Sequence, residues 1–200
     1  MQCRCADSLS GGTLVLHSEV NSMRMHYALA LSFLAGTACA QAPAASPAAA
    51  AVGPAAEVQT SYNRLKPNII KAVERLPDAD IQFRPTPEIR TFARVVNHIT
   101  EAQFHSCTTL NGGKFDPRSV PADTADKAAI MAGLKASFAE CDKAYGAMTD
   151  ATMGEMLTAG ANKRSRIGMA WSNVAHDYEQ YAELSTYLRL KNLVPPTAEK

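Results

Sequence analysis

Three histidines and two cysteines are the residues of this chain best suited to chemistry. His98, His105 and His176 lie in its helical C-terminal part, and imidazoles brought together from two helices can share a metal ion or a proton. Carboxylates stand near two of them. Glu101 follows His98 by three residues and Glu179 follows His176 by three. At about 100° per residue Glu179 turns toward the polar arc, whereas Glu101 stays near His98. His105 is two helical turns from His98, too far to be a comfortable co-ligand. No G-x-S-x-G elbow occurs. Gly112-Gly113 reads as a helix stop, and Lys163-Arg164-Ser165-Arg166 as a solvated loop.

These residues need elements to carry them, and four helical stripes follow residue 56. The first runs from about Val58 to Leu76, with Val58, Tyr62, Leu65, Ile69, Val73 and Leu76 inward. Pro67 must kink it or mark its effective start, because an interior proline costs about 3 kcal/mol. The second begins after Thr91, a plausible N-cap, and runs to Asn111 through Phe92, Val95, Val96, Ile99, Ala102, Ser106 and Leu110. The third spans about Ala125 to Met148, with Ile130, Leu134, Phe138, Cys141, Tyr145 and Met148 inward. The fourth spans about Ile167 to Leu190, with Ile167, Ala170, Trp171, Val174, Tyr178, Ala182, Ser185 and Leu188 inward. A second stripe on it, Met169, Asn173, His176, Gln180, Leu184 and Tyr187, falls on the shoulder between core and solvent. His98 and His105 lie on a similar shoulder of the second helix, so two facing shoulders would form a groove with convergent polar groups. Asn192 suits a left-handed C-cap, and Pro195-Pro196 ends the helix. No alternating strand pattern is seen, and the fold class is all-α, a four-helix bundle.

The cysteines bear on helix order. Cys107 lies 15 residues into the second helix and Cys141 lies 16 residues into the third. In antiparallel neighbours the two thiols would be on the order of 20 Å apart along the axis, beyond disulfide reach. In parallel neighbours they sit at one level, and residues 111–124 are long enough to carry the chain back. The pair is then either a Cys107–Cys141 disulfide or two small buried residues.

The N-terminal part reads as export machinery. In residues 23–40 a short basic start (Arg24, His26) precedes an apolar run, Ala28 to Ala35, too short for a permanent span, and then Ala38-Cys39-Ala40. This predicts a signal peptide cut after Ala40, with translation starting at Met23 or Met25 and residues 1–22 a doubtful extension. Gly36 stands three before Cys39 and argues against a lipid anchor there. Residues 41–56 are an Ala/Pro-rich linker with nothing to bury, and the domain proper is 57–200. Cys3, Cys5 and Cys39 leave with the signal, so two of the five cysteines remain, an even count in an oxidising, periplasmic or extracellular compartment.

Composition excludes some functions. The 200 residues carry 20 Lys and Arg against 19 Asp and Glu, with no basic run, which argues against a nucleic-acid partner. No apolar stretch after the signal is long enough to anchor the mature chain in a membrane. One Trp and few other aromatics leave aliphatic side chains to fill the core.

Several segments together resemble the DinB-like proteins. They are Phe83-Arg84-Pro85-Thr86-Pro87-Glu88, then Val95-Val96-Asn97-His98, then His176-Asp177-Tyr178-Glu179-Gln180-Tyr181 running on through Thr186-Tyr187-Leu188-Arg189-Leu190 to Val194-Pro195-Pro196. The resemblance covers essentially all of 57–200. It implies a bundle in up-down-down-up order with helices two and three parallel, in agreement with the cysteine levels. It also implies a divalent metal, such as Zn or Ni, held by one His of helix two and an H-x-x-x-H pair of helix four. Those positions fall on His98, His176 and Gln180. The third is a departure, since a neutral amide oxygen is a poor Zn or Ni ligand beside imidazole. The expectation is therefore an exported DinB-like domain of unspecified activity with a weak or degenerate metal site. The alternative is a metal-dependent transferase or hydrolase. A small-molecule ligand and a homodimer are both compatible with such a bundle.

Overall fold

The structure is a computed structural model that describes residues 52–199. The expected signal peptide, the residues before it and most of the linker lie outside the described residues. Four helices make the domain: α1 (Pro54–Arg75), α2 (Phe92–Leu110), α3 (Lys127–Gly146) and α4 (Arg166–Leu190). They form the expected all-α bundle. None is long and apolar enough to cross a membrane.

The helix starts follow capping chemistry. The side chains of Thr91, Asp126 and Ser165 accept from the backbone N–H of Arg94, Ala129 and Gly168, which satisfies donors that a helix N-terminus leaves unpaired. α1 begins at Pro54, inside the segment read as linker, with Ala55 already buried. Proline suits a first turn because its missing N–H would be unpaired there anyway. α1 runs on unbroken through Pro67. At the far end Asn192 takes φ +60 and Leu193 N–H donates to the Leu188 carbonyl, so α4 stops as its sequence suggests.

Helix order is legible in the cross-helix contacts. Gln103 meets Ser137, and Cys107 meets Cys141, so position and partner rise together and α2 and α3 are parallel. Lys66 pairs with Asp142 while Lys135 pairs with Glu74, so α1 and α3 are antiparallel. Arg90 reaches Glu183 while Arg166 reaches the Leu110 carbonyl, so α2 and α4 are antiparallel too. The order is up-down-down-up.

A parallel α2–α3 pair needs a long return. Residues 111–126 supply it, running back over α2 with Phe115 stacked on Phe104 and the Pro121 carbonyl accepting from Asn97 Nδ2 at 2.9 Å. This return packs so closely on α3 that a Cβ at Gly133 would come within 2.7 Å of two Pro121 ring carbons.

Two parts differ from the sequence reading. Residues read as loop form an antiparallel hairpin, β1 (Met156–Ala159) with β2 (Asn162–Ser165). Gly160, at φ +60, occupies the first position of its two-residue loop. Lys163-Arg164-Ser165 is therefore strand. Arg166 is held, donating to Glu155 and to the Leu110 carbonyl. The phase of α4 differs in part, since Ala170, Val174, Ser185 and Leu188 are buried as read. Trp171 and Tyr178 are 38% and 42% exposed, Ala182 is exposed, and the supposed shoulder residues Met169, Asn173, Gln180, Leu184 and Tyr187 are buried. Burying that face lets polar side chains pair inside the bundle. The inward sets read for α1 and α3 are buried throughout.

Cys107 and Cys141 form a disulfide, with their Cα atoms 4.9 Å apart and both side chains fully buried. It links positions 34 residues apart, so loop-closure entropy in the unfolded chain is worth about 4 kcal/mol. Cys107→Ser/Cys141→Ser is expected to lose stability of that order in urea titrations without reductant. Thiol titration of the unfolded wild type should find no free thiol from this pair. Gly133→Ala is expected to destabilise by at least 1 kcal/mol although alanine favours helix, because the Pro121 ring must move. The same titration would show an alanine-like gain if that contact were loose.

Candidate functional site

The site lies where α2 faces α4, with the return segment as its third wall. α2 presents His98 and α4 presents His176, each on the edge of the buried face, with side chains 35% and 24% exposed. Their Nε2 atoms are 3.1 Å apart and their rings meet edge to face at a 4.8 Å centroid separation. One imidazole therefore donates an N–H to the other.

On the groove side, Glu101 Oε2 is 3.7 Å from His98 Nδ1. The Glu101 carboxylate is already engaged, accepting from both terminal nitrogens of Arg94 at 2.8 and 3.0 Å. Arg94 holds that carboxyl below the usual range. His98 is pushed below its ordinary value, first by desolvation and then by His176, Arg90 and Arg94, against a smaller opposing pull from Glu101.

On the inner side, Asp177 is wholly buried. Its Oδ2 accepts from Gln103 Nε2 at 2.9 Å, and Gln103 Oε1 accepts from Ser137 Oγ at 2.8 Å. Asp177 Oδ1 and His176 Nδ1 are both buried without a hydrogen-bond partner and face each other across 3.6 Å. Burial raises the Asp177 carboxyl, opposed by His176 and Gln103.

Gln180 is buried one turn beyond His176. Its Oε1 accepts from the Arg90 guanidinium at 3.1 Å, and the same nitrogen pairs with Glu183 at 2.5 Å. Arg90 is anchored from behind, since the buried Tyr187 donates its hydroxyl to the Arg90 carbonyl and Tyr187 packs edge-on against Phe83 and Phe92. Nothing in the sequence flagged Arg90, which lies in the turn before α2.

The metal expected from the resemblance can be tested against this geometry. Two nitrogens on a tetrahedral Zn lie about 3.3 Å apart, so the His98–His176 spacing suits two ligands. The third position does not suit. The Gln180 oxygen is spent on a guanidinium, which puts positive charge where a cation would need donors. Among the described residues no three His, Cys, Asp or Glu side chains gather as a metal would require. The residues present do not make the three-ligand set.

A groove opens beside the pair. One lobe of about 300 Å³ is lined by His98, Glu101, Ala102, His105, Phe115 and Pro117. A second, about 200 Å³, reaches His176, Asn173, Ser106 and Ser172. Ala102 and His105 border both. His105 is exposed and meets Phe115 edge-on, so it joins the groove without joining the histidine pair. Glu179 is exposed, away from the site.

Comparisons with known proteins agree with the architecture. Residues 61–184 match the family model described as DinB superfamily. A solved DinB-like protein from Bacillus cereus ATCC 10987 is 16% identical at TM-score 0.58, over 70% of this chain and 93% of that one. A DinB-like protein from Bacillus subtilis is 12% identical at TM-score 0.56, over 68% and 92%. A mutant of a mycothiol-dependent maleylpyruvate isomerase is 13% identical at TM-score 0.55, over 66% of this chain and 60% of that one. No curated protein matches the chain.

In metal-free protein the His98 imidazole is expected to titrate below 6.5, followed by its ring-proton NMR shifts. Because the fold favours its neutral form, its contribution to stability is complete above the unfolded value of about 6.5 and declines as pH falls through that value toward the folded midpoint. A midpoint above 6.5 would contradict this environment.

Proposed function

The chain belongs to the DinB superfamily, and on that premise we propose that it is an exported member whose metal site is degenerate and whose groove binds a small molecule. The observation that carries this reading is the Arg90 guanidinium on Gln180 Oε1. It takes the ligand oxygen and supplies a positive charge from the protein itself. Two imidazoles remain, and two neutral donors hold Zn or Ni weakly.

Export is supported by the apolar run Ala28–Ala35 before Ala38-Cys39-Ala40, and by the Cys107–Cys141 disulfide, a bond favoured in oxidising compartments. The groove supports small-molecule binding because it joins an apolar wall, Ala102, Phe115 and Pro117, to the polar atoms of His98 and Glu101.

A second reading, a divalent-metal-dependent transferase or hydrolase, draws on the 3.1 Å Nε2 spacing. It also draws on the fold shared with a mycothiol-dependent isomerase. It requires Arg90 to release Gln180 and a further donor to arrive.

Elemental analysis separates the two. After incubation with excess Zn or Ni and desalting, the protein is expected to hold well under one equivalent. A full equivalent, lost in both His98→Ala and His176→Ala, would establish the second reading. Gln180→His supplies a third imidazole and is expected to tighten Zn binding at least tenfold; no gain would mean that the three positions do not converge. For export, mass spectrometry of the periplasmic fraction should find a chain beginning at Gln41, and an uncut cytoplasmic chain alone would refute it.

A further inference from the structure

One buried acceptor beside the groove has no role in what precedes. Asn173 is 2% exposed and lines the second lobe together with Ser106, Ser172 and His176. The orientation of its amide is set by Tyr145. The Tyr145 hydroxyl gives its single proton to the Ala170 carbonyl at 2.9 Å, so toward Asn173 it offers only lone pairs. Asn173 Nδ2 therefore donates to it, at 3.3 Å. That bond turns Oδ1 the other way. Tyr145 does not border the lobe and Asn173 does, so the amide edge away from Tyr145 is the lobe edge. Oδ1 is buried without a hydrogen-bond partner. The backbone N–H groups around it in α4 are spent on the helix, and an unpaired buried acceptor is costly.

We propose that Asn173 is the specificity-determining residue of the groove. The second lobe takes an uncharged head group that carries an N–H donor and a carbonyl acceptor, as a carboxamide does. The apolar body of the same ligand lies against Phe115 and Pro117 in the first lobe. This rests on the small-molecule reading of the groove and not on the state of the two imidazoles. The ligand N–H meets Asn173 Oδ1. That oxygen is shut off from bulk water, so the new bond replaces none to solvent. The ligand carbonyl is met by the Ser172 hydroxyl, whose Oγ accepts from Arg164 at 3.3 Å and so keeps its own proton to donate. Ala102 borders both lobes, and its single methyl lets the body pass from one to the other. An anionic head would set oxygen against oxygen at Asn173. A cationic head finds no spare carboxylate, because Glu101 and Glu183 are held by Arg94 and Arg90.

The test compares benzamide with acetophenone, which has the same ring and carbonyl but a methyl in place of the amide nitrogen. Each is titrated into the purified protein and followed in proton–nitrogen and ring-proton NMR spectra. The Asn173 side-chain amide signals are assigned by their loss in Asn173→Leu. Benzamide is expected to bind about tenfold more tightly than acetophenone, since the ketone leaves Oδ1 unpaired. It is also expected to move the signals of both the Asn173 side chain and the Phe115 ring. In Asn173→Leu, which keeps the side-chain shape, the two probes are expected to bind equally. An asparagine that serves packing alone, or that holds only a water, would give the probes equal affinity in the wild type. That result overturns the proposal, while shifts at Phe115 would still uphold the groove. Binding of neither probe at millimolar concentration overturns the proposal and the small-molecule reading together. If Asn173→Leu does not fold, the wild-type preference still decides, and Ser172→Ala supplies a second variant at an exposed position. It is expected to weaken both probes alike and to leave the preference intact. Loss of the preference in Ser172→Ala would overturn the assignment to Asn173.

Discussion

The register between α2 and α3 is the constraint on which the rest depends. Parallel neighbours cannot be joined by a short turn, so the chain spends residues 111–126 returning over α2. That return has two consequences. It demands a glycine at 133, where Pro121 presses on α3. It also places Phe115 and Pro117 beside His98, turning an exposed helix edge into a groove. The Cys107–Cys141 bond holds the register at one level, and the Gln103–Ser137 hydrogen bond holds it one turn away. The second contact belongs to the site as well as the fold, because the other end of Gln103 grips Asp177.

Much of this was legible. In α1 and α3 the large apolar side chains read as inward recur three or four residues apart, and each of them is buried. The cysteine levels gave the parallel pair because a rise of about 1.5 Å per residue turns a sequence offset into a height. The His98 and His176 positions, taken from the resemblance, do meet.

What was not legible has a physical cause. α4 carries two overlapping stripes, and hydropathy favours the one with Trp171 and Tyr178. The bundle buries the other together with Ala170, Val174, Ser185 and Leu188 of the first, because Asn173, Asp177 and Gln180 find partners there: Tyr145, Gln103 and Arg90. A polar residue whose hydrogen bonds are met inside looks in sequence like a surface residue. The hairpin escaped for a related reason. Its strands have four residues each and are largely exposed, so no alternation builds up, and only Gly160 in a two-residue loop marks it. Arg90 had no periodic signal at all, since it precedes the α2 cap and its neighbours in space are residues 180, 183 and 187.

Charge explains why Arg90 matters more than the loss of a single imidazole. A metal held by His98, His176 and Gln180 would keep its full double charge, because all three donors are neutral. Its neighbours would include Arg90 and Arg94, both cationic. The carboxylates that could offset it are already engaged, Glu183 by Arg90 and Glu101 by Arg94. Asp177, behind His176, could offset a metal only from behind an imidazole. The groove is balanced as it stands, with each exposed cation matched to an anion. An incoming divalent ion would have to break a pair to gain a carboxylate, whereas a neutral ligand bearing one donor would disturb neither. On the proposed reading, the groove therefore recognises its ligand by hydrogen bonds rather than by Lewis-acid chemistry.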